Sequence, residues 1–560
     1  MRISTLFGQR LRQAPSDAGP TALQLALRVG LMRRTSQGAP ALLPTGWRAI
    51  RRLQAIIRQE LDALDGQELL LPLPKAVVSG LSGAAWPMLS DVAGGELARG
   101  SGTVEEAADL ARQEIHSYRQ LPALVYQFQT SFPHDPQGRP GLLGNQEQLM
   151  HEVFTFDQDA AGMARSCSRV STAWQRVWER CGLSVRTVEA TLGNVPAQAF
   201  MVSSPMGDDE LVHCPACGYA ATAVSARFRR SPSVAEQAQA LALVETPGAN
   251  TIEALARYLG ISTDRTLKAV MYQDVDTGRL VFVAIRGDLA VNEAKLAHLL
   301  GGALLQVAPP EALQAAGAVG GYASPVGLRE TLIVVDESVQ DGVGLVGGAN
   351  REGYHYWNVV LGRDYVADLV GDVALAREGD PCPHCGGSLH TERAVQLGQG
   401  AQLGTSRSET AGAQFLDESG RARHPYMGRY TMGLLRLFAC IIDAHHDESG
   451  ILWPQEVAPY QVHLVSLAHP GTPEEQRAEE LYAALCEAGM QVLYDDRSER
   501  AGVKFAEADL LGAPGRLTIS SRSLAQGGVE FKRRCEGQSQ LVPLAPLSAI
   551  LDLIGVGRPL

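Results

Sequence analysis

Apolar residues recur along the chain with two different periods, which separate predicted helices from predicted strands. A helical period runs through LQLALRVGLMRR, PTGWRAIRRLQAIIRQELDAL and AWQRVWERCGL, and GLLRLFACIIDAHH is apolar on nearly every side. Short apolar runs predict strands at ELLLPLP, SVRTVEAT, KAVMYQ, RLVFVAIRG and TLIVVDES. The C-terminal part alternates strand and helix from YQVHLVSLA to GRLTISS, which predicts a compact α/β domain with parallel strands.

Length and composition predict a soluble protein of several domains. A chain of 560 residues holds three or four domains of ordinary size, and 45% hydrophobic with 20% charged residues is typical globular composition. The formal charge of −12 excludes a general nucleic-acid coat protein but leaves room for local basic patches. The sequence has no apolar run of about 18 residues and no signal-peptide core, so we expect a cytoplasmic protein without a membrane span.

Four of the nine cysteines have the spacing of a metal site. HCPACGYAA places Cys214 and Cys217 in one turn, and DPCPHCGGSL places Cys382 and Cys385 in another. Two such turns supply the four thiolates of a closed tetrahedral zinc site, although two redox-active or idle CxxC turns are the alternative. The 164 residues between the turns are enough for an inserted domain, whose two ends a shared ion would hold together.

A loop rich in glycine and proline raises the question of ligand binding. The stretch QTSFPHDPQGRPGLLGNQEQLMHEVFTF (129–156) predicts a strand, a loop and a second strand. Such a loop is a natural cradle for a phosphate ligand, yet Arg139 is its only arginine.

The order of motifs along the chain resembles a bacterial-type prolyl-tRNA synthetase, a class II aminoacyl-tRNA synthetase. The resemblance begins at the N-terminus, so little room remains for a cleaved transit peptide. The matching segments are LRVGLMRRTSQG, LPTGWRAIRRLQAIIRQEL, TVEE, SYRQLP, YQFQT, VETPGANTIEAL, IRGDLAVNEAK, GGANREGYHYW, GILWPQEVAPYQV and LYDDRSERAGVKFAEADLLGAP.

The resemblance implies a multidomain α+β and α/β fold. We expect an antiparallel class II catalytic sheet with an inserted α/β editing domain and a C-terminal α/β anticodon-binding domain. The expected boundaries are 1–225 for the first part of the catalytic domain, 226–380 for the editing domain, 381–455 for the second part of the catalytic domain, and 456–560 for the anticodon-binding domain. The family is homodimeric, and the segment ending at Pro72 resembles its dimer-forming motif.

The same resemblance predicts a degraded site for amino-acid activation. Activation needs positive charge around the phosphates of ATP, which arginines and magnesium ions supply. The loop instead carries Pro133, His134, Asp135, Gln137, Gly144 and Gln146 at positions that are arginine or acidic in the family. Proline offers neither a cation nor a backbone N–H to a phosphate. We therefore expect proline and ATP activation to be impaired.

Other positions of that site are divided between changed and retained residues. The changed ones are Ala197, Gln198 and Ala199 before Phe200, then Gln399, Ala401 and Arg429, where the family has a small residue in place of the arginine. The retained ones, which form the predicted remnant of the ATP and proline site, are Thr103, Glu105, Arg139, Glu147 and Arg436. The alternative for Thr103, Glu105 and Arg436 is that they hold the scaffold without touching substrate.

The inserted domain keeps the residues that the family uses for editing. These are Lys268 in RTLKAV, His355 in GYHYW, and Gly321 to Pro325 in GYASP. The resemblance implies hydrolysis of alanyl-tRNA by a positioned water in a pocket that excludes proline. A solvated strand lysine and a packed core histidine are the alternatives for Lys268 and His355.

The C-terminal segment LYDDRSERAGVKF implies contact with tRNA. The predicted tRNA-binding residues are Asp496, Arg497, Arg500 and Lys504. A mixed charge run of this kind is otherwise a solvated turn.

Three functions remain open at this point. The first is a synthetase-like protein acting on tRNA for proline, with impaired activation and retained editing. The second is a functioning proline–tRNA ligase that uses ATP and magnesium. The third is a non-catalytic accessory subunit that binds nucleic acid or a protein partner. We also expect structural zinc from the cysteine spacing, a homodimer from the resemblance, and no membrane partner.

Overall fold

The structure is a computed structural model. It describes residues 1–8, 10–15, 19–35, 39–72, 75–77, 88–90, 96–99, 103–131, 143, 148–192, 195–230, 239–340 and 344–555. Within those ranges, no helix has both the length and the apolar composition needed to cross a membrane.

Among the described residues, the first part of the chain forms four helices and twelve strands. The helices are α1 (Thr21–Val29), α2 (Pro44–Asp62), α3 (Val104–Glu114) and α4 (Ala160–Arg180), with a 3-10 turn at Tyr118–Gln120. The strands are β1 (Met32–Arg34), β2 (Pro40–Leu42), β3 (Gln67–Glu68), β4 (Lys75–Val77), β5 (Met88–Ser90), β6 (Glu96–Arg99), β7 (Ala123–Ser131), β8 (Gln148–Asp157), β9 (Arg186–Leu192), β10 (Val195–Ser203), β11 (Asp209–His213) and β12 (Ala220–Thr222).

The middle of the chain alternates strands with short helices. Its strands are β13 (Ala242–Glu245), β14 (Leu267–Asp274), β15 (Leu280–Arg286), β16 (Leu305–Val307), β17 (Thr331–Asp336), β18 (Leu345–Gly348), β19 (Tyr354–Val359) and β20 (Leu369–Gly371). Its helices are α5 (Ile252–Leu259), α6 (Glu293–Leu299), α7 (Pro310–Ala315) and α8 (Glu337–Gln340), with a 3-10 turn at Thr263–Arg265.

The remaining elements belong to two regions that follow the second cysteine turn. The first region holds β21 (His390–Gly404), α9 (Ser406–Thr410), β22 (Phe415–Leu416), β23 (Ala422–Arg423), β24 (Tyr426–Gly433), α10 (Leu434–Ala444), β25 (His446–Asp447) and β26 (Gly450–Ile451). The second holds β27 (Val462–Ser466), α11 (Pro473–Glu487), β28 (Val492–Asp495), α12 (Ala501–Leu511), β29 (Gly515–Ile519), α13 (Ser521–Ala525), β30 (Gly528–Arg533), β31 (Gln540–Pro543) and α14 (Ser548–Ile554).

A nine-stranded sheet, in the order β10-β9-β12-β11-β21-β24-β8-β7-β3, carries the candidate synthetic site. Its central strands β7, β8, β24 and β21 pair antiparallel. One face packs against α2, α4 and α10 through a buried aromatic cluster that includes Trp174, Trp178 and Tyr430. Because side chains alternate along a strand, Arg429 and Thr431 on either side of Tyr430 belong to the opposite face.

The inserted region builds a separate five-stranded sheet in the order β16-β14-β15-β17-β20. Strand β15 is buried along its whole length, as expected for a central strand covered on both sides. Lys295 ties this region to the chain that enters it, because its Nζ donates to the carbonyl oxygen of Ala226 at 2.6 Å and to Asp372 Oδ2 at 2.9 Å. Arg230 contacts the other oxygen of this carboxylate at 2.5 Å, so two cations share Asp372.

The C-terminal region forms a sheet in the order β28-β27-β29-β30-β31. The first three strands are parallel, whereas β30 and β31 pair antiparallel. The N-terminal residues cover the β28 edge: Arg2 forms a bridge with Tyr494 and a double hydrogen bond with Glu479 at 2.6 and 2.5 Å. This contact joins the two ends of the chain.

The predicted fold class is confirmed, and several predicted elements need correction. The helix predicted over LQLALRVGLMRR stops at Val29, because Gly30 takes a left-handed conformation with φ of 82°. The strand predicted at ELLLPLP is limited to Gln67–Glu68 among the described residues. The C-terminal sheet is mixed rather than wholly parallel, since β30 and β31 form a hairpin-like antiparallel edge.

Candidate functional site

A buried ion pair stands on the face of the nine-stranded sheet that is opposite α2, α4 and α10. We call this face the polar face and define it by Gln127, Glu152, Arg429 and Thr431. Nη2 of Arg429 lies 2.7 Å from Oε1 of Glu152. The other oxygen of Glu152 accepts hydrogen bonds from Thr103 Oγ1 at 2.6 Å and from Gln127 Nε2 at 2.8 Å. The carboxylate is therefore fixed by three donors from three segments of the chain.

Arg436, predicted to meet ATP, lies at the start of α10 beside the same face. Its guanidinium pairs with Asp208 at 2.6 Å and with Asp209 at 3.0 Å, and it also donates to the carbonyl oxygens of Leu143 and Gln396, each at 2.7 Å. Burial raises the pKa of Asp209, with the neighbouring Asp208 carboxylate adding to that effect. Arg436 is thus saturated by protein groups that a phosphate would have to replace.

A cavity of about 270 Å³ borders Arg436 and Thr431. Its walls are polar for the most part and come from β8, β21 and β24, together with Asp209 and Arg436. Small-molecule sites usually measure about 300–1,000 Å³, so this cavity is at the lower limit for a ligand.

The other predicted residues of this site have different positions. Thr103 is buried against Glu152, whereas Glu105 points to solvent and pairs with Arg407 at 2.9 Å, where both side chains are more than half exposed. Thr103 therefore belongs to the polar face, and Glu105 does not reach it. Arg139 and Glu147 lie outside the described residues.

The positions at which this sequence departs from the family's activation site lie partly on the loop and partly on strands of the sheet. Those on the loop, from Pro133 to Gln146, lie outside the described residues. Strands β10 and β21 pair antiparallel, which places Ala197 opposite Ala401 and Ala199 opposite Gln399. Ala401 is also the partner of Arg429 on β24, so two of the changed positions are direct neighbours in the sheet.

The inserted region contains a second pocket, of about 250 Å³, that brings three predicted editing residues together. Lys268, Gly321 and His355 line it with the segment 250–253. Nζ of Lys268 donates to the carbonyl oxygen of Leu289 at 3.3 Å, which keeps the ammonium at the pocket wall. Pro325 is buried in the same loop but does not line the pocket.

His355 is the most constrained group of this pocket. Burial lowers its pKa to about 4, so the imidazole is neutral at neutral pH. Its Nδ1 lies 2.6 Å from Oγ1 of Thr246, which is itself fully buried, and the Tyr322 ring packs 5.3 Å away. A neutral imidazole held at Nδ1 keeps its Nε2 available to a water or a hydroxyl group.

Sequence reasoning missed Thr246 as a site residue. It stands in ETPGAN, a segment that was matched as a whole without any residue being singled out. Gly321 has φ of +79°, and a Cβ there would lie 2.9 Å from Cβ of Asn250. The close approach of these two loops is visible only in three dimensions.

The four cysteines of the two CxxC turns meet at one point, as their spacing predicted. Their sulfur atoms all lie within 4.8 Å of one another, with 3.6 Å between Cys214 and Cys385 and 3.6 Å between Cys217 and Cys382. A tetrahedron with Zn–S bonds of about 2.3 Å has sulfur atoms about 3.8 Å apart, so the donor set fits zinc. His213 and His384 contribute no ligand to this cluster.

The four predicted tRNA-binding residues differ sharply in exposure. Lys504 is 2% exposed, and its Nζ donates to the carbonyl oxygens of Ser466 and Asp495 at 2.6 and 3.3 Å. Arg497 pairs with Asp495 and Glu507, each at 2.7 Å.

Asp496 and Arg500 occupy the surface near these buried groups. Asp496 accepts hydrogen bonds from the backbone and side chain of Ser4, whereas Arg500 is exposed at the start of α12. The ammonium of Lys504 is therefore inside the domain, whereas the side chain of Arg500 is exposed to solvent. The contact of these four residues with tRNA stays a prediction.

Two regions of the chain match the sequence profiles of known families. Residues 246–365 match the aminoacyl-tRNA editing domain, and this range contains Thr246, Lys268 and His355. Residues 461–552 match the anticodon binding domain.

Curated relatives match the chain almost from end to end. A proline–tRNA ligase of Dehalococcoides mccartyi is 42% identical over 554 residues, which cover 97% of each chain. The proline–tRNA ligase of Salinispora tropica is 41% identical over 98% of this chain and 96% of its own, and that of Moorella thermoacetica is 37% identical over 99% and 98%.

Solved structures show the same fold at much lower identity. A prolyl-tRNA synthetase of Cryptosporidium parvum, complexed with L-proline and AMP, has a TM-score of 0.56 at 13% identity and covers 97% of this chain and 77% of its own. A prolyl-tRNA synthetase of Giardia lamblia, in complex with prolyl-adenylate, has a TM-score of 0.54 at 12% identity over 95% and 77%.

The antiparallel sheet, its helical backing and the two matched domains define a class II aminoacyl-tRNA synthetase fold. Within that class, the chain belongs to the bacterial-type prolyl-tRNA synthetase family. The family predicted from the sequence is confirmed, whereas none of these relatives indicates a degraded activation site.

Proposed function

We propose that this chain is a proline–tRNA ligase, which joins proline to its tRNA at the expense of ATP. The observation that carries the proposal is the end-to-end similarity to proline–tRNA ligases at up to 42% identity. This function was the second of the three predicted from the sequence, and the relatives favour it over impaired activation.

The site offers a specific cation for the activation step. The α-phosphate and the departing pyrophosphate of ATP gain negative charge in the transition state, which an arginine stabilises. Arg436 borders the 270 Å³ cavity and would exchange its contacts with Asp208 and Asp209 for phosphate oxygens when ATP binds. Those two carboxylates are then suited to magnesium, which prefers oxygen ligands.

Proline-dependent exchange of pyrophosphate into ATP tests this proposal. The full-length protein with ATP, magnesium and proline should show exchange that alanine supports only weakly. Arg436→Ala should reduce kcat/KM by about 100-fold or more, whereas Arg477→Ala, on an exposed helix, should leave it unchanged. Absence of exchange with proline under conditions where a known synthetase is active would contradict the proposal.

The second candidate is a protein that hydrolyses alanyl-tRNA while its own activation is impaired. The contact of Arg429 with Glu152 favours it, because a charged pair stands on the polar face of the sheet that carries the candidate synthetic site. The pocket of Lys268 and His355 lies in the inserted region and shares no lining residue with that face.

Deacylation of tRNA for proline that carries alanine tests the editing site without involving the synthetic site. Lys268→Ala and His355→Ala should each slow the release of alanine at least about tenfold if positioning by these side chains drives the reaction. Arg279→Ala, an exposed residue of the same region, is the matched control. Equal deacylation rates in the native protein and in the three variants would contradict the editing function.

The remaining features of the proposal concern assembly. The anticodon binding domain favours tRNA as the partner, with Arg500 exposed for contact. We further propose zinc in the four-cysteine cluster, a homodimer formed through the segment ending at Pro72, and a cytoplasmic location where translation takes place. The boundaries 1–225, 226–380, 381–455 and 456–560 are proposed as the domain limits.

A non-catalytic accessory role, with a protein partner in place of a substrate, would be left only if both assays failed.

A further inference from the structure

A cavity of about 860 Å³ lies between the N-terminal segment, helix α1 and the β25–β26 hairpin. It shares no lining residue with the two pockets described above. Its charged walls come from Arg12, Arg28, Asp447 and Glu448. Ligand sites usually measure about 300–1,000 Å³, so this cavity is large enough to admit part of a ligand of considerable size.

The backbone holds the two arginines of this cavity close together. The N–H of Leu11, the residue before Arg12, donates to the carbonyl oxygen of Arg28 at 2.9 Å. Within the described part of the chain, neither guanidinium forms a hydrogen bond or an ion pair, and Nε of Arg28 is buried without an acceptor. Neighbouring cations repel each other, and a buried donor without a partner costs free energy. An anion bound in the cavity would relieve both.

The two carboxylates of the cavity do not supply that anion. Arg534 contacts both oxygens of Asp447, at 2.6 and 2.8 Å, and these hydrogen bonds lower the pKa of the carboxyl group to about 2. Glu448 is exposed and has no ion pair with any described residue. Three guanidinium groups therefore stand against two carboxylates here. Since a guanidinium matches the geometry of phosphate oxygens, a phosphate is the anion that the cavity favours.

The cavity lies where the C-terminal region meets the helices behind the nine-stranded sheet. Gly450 of the hairpin packs against Leu510, and Arg10 of the N-terminal segment pairs with Glu507. Both contacts belong to the C-terminal half of α12, whereas the exposed Arg500 stands at the start of this helix. A helix of eleven residues is about 16 Å long, so a short stretch of nucleic-acid backbone would reach from one end to the other.

We propose that Arg12 and Arg28 bind phosphate groups of the tRNA backbone, at a contact separate from the one expected at Arg500. The inference rests on the proposed function, because it takes tRNA as the partner. Arginine contacts with phosphate oxygens position a nucleic acid without reading its sequence, so this site adds affinity and not selectivity for one tRNA. A free phosphate compound such as pyrophosphate has the same chemistry, and the experiment includes it for that reason.

Variants of the two arginines test the site in the full-length protein. Arg12→Gln with Arg28→Gln removes both charges, and Arg51→Gln with Arg477→Gln removes two charges from exposed helix positions outside the cavity. Arg12→Gln alone changes only an exposed side chain, so it tests the site even if a change in α1 disturbs the fold. Arg28→Lys keeps the charge on α1.

Binding of a transcript of tRNA for proline is then measured at a series of salt concentrations. We expect the cavity double variant to bind about tenfold more weakly at low salt, with the slope of log K against log salt reduced by about two. Arg12→Gln alone should reduce the slope by about one, and Arg28→Lys should stay close to the native protein. A cavity double variant equal to the charge-matched control in affinity and slope would overturn the inference.

Two further readouts separate the source of the phosphate and the ligase function. Calorimetric binding of pyrophosphate that the cavity double variant loses, with tRNA binding unchanged, would assign the cavity to a small phosphate compound and overturn the inference. Proline-dependent ATP–pyrophosphate exchange by the native protein needs no tRNA and reports on the ligase alone. Exchange together with equal tRNA binding by all variants would therefore reject the site and leave the ligase standing.

Discussion

At the scale of single residues, the protein uses buried polar groups for two distinct purposes. Thr246 and His355 form a contact at the wall of a pocket, whereas Lys504 and Asp495 form one inside a domain core. Both contacts involve fully or nearly fully buried partners, so burial alone does not identify a functional residue. The difference lies in whether an open volume borders the pair.

Thr246→Val should lower the rate of alanyl-tRNA deacylation by about tenfold or more, because the imidazole of His355 loses the hydrogen bond that orients it. Valine keeps the shape of threonine, so the melting temperature should change little. The comparison variant is Thr331→Val, whose hydroxyl donates to the Arg329 carbonyl away from the pocket. A deacylation rate equal to that of Thr331→Val would show that Thr246 does not act through His355.

Lys504→Met should destabilise the C-terminal region by about 1–3 kcal/mol, because the carbonyl oxygens of Ser466 and Asp495 lose a buried donor. Arg500→Ala should instead weaken tRNA binding without changing stability, since its side chain is exposed. Urea unfolding and a filter-binding assay distinguish the two effects. Loss of tRNA affinity in a stably folded Lys504→Met would support the prediction made from the sequence.

The residue scale also shows how far the sequence alone could predict the site. The four cysteines were found because CxxC turns are a local pattern, and Lys268, Gly321 and His355 because they stand in matched motifs. The pair of Arg429 with Glu152 was not predicted, because it depends on the register between β8 and β24, which no local pattern records. Its two residues are 277 positions apart in the sequence.

At the scale of elements, amphipathic helices were predicted more accurately than short strands. The helix of PTGWRAIRRLQAIIRQELDAL appears as Pro44–Asp62 with its apolar side buried, because proline at its first position and helical spacing agree. The strand of ELLLPLP is reduced to Gln67–Glu68 among the described residues, and Leu69 and Leu71 pack in a separate cluster with α3. Packing with distant parts of the chain, and not local sequence, therefore determines the structure of Leu69 and Leu71.

Removal of zinc should loosen the neck of the inserted domain before it affects the rest of the fold. The first cysteine turn joins β11 to β12 and the second precedes β21, so the proposed zinc ion would connect strands that are distant in sequence. Cys385→Ser should increase hydrogen exchange at 209–222 and 376–392, and added chelator should have no further effect there. Unchanged exchange in those segments would mean that the neighbouring apolar cluster suffices without the metal.

At the scale of the whole molecule, we expect three histidines that are buried in the described part of the chain to make stability depend on pH. Burial lowers the pKa of His151 to about 4, of His355 to about 4 and of His463 to about 3. In the unfolded chain each would titrate near 6.5, so the unfolded state binds more protons between about pH 4 and 6.5. The contribution of these neutral imidazoles to the free energy of unfolding is therefore fully present above pH 6.5, and it decreases as the pH is lowered through this window.

The urea concentration at the midpoint of unfolding should accordingly decrease as the pH is lowered from 6.5 to 4. His151→Phe should reduce that dependence, because phenylalanine can stack with Phe128 and Trp174 in the same place without taking up a proton. The exposed residue His469 provides the control, and His469→Gln should leave the pH profile unchanged. A profile equal in slope for the native protein and His151→Phe would mean that other groups control the acid sensitivity.

The attachment of proline to tRNA tests the central claim most directly. The full-length protein, with ATP, magnesium and labelled proline, should form prolyl-tRNA on the transcript of tRNA for proline and not on a tRNA for another amino acid. The product should survive treatment that destroys free prolyl-adenylate and should be released by mild base, as an ester is. If no proline is attached under conditions in which a homologous ligase charges the same transcript, the chain is not a functioning proline–tRNA ligase.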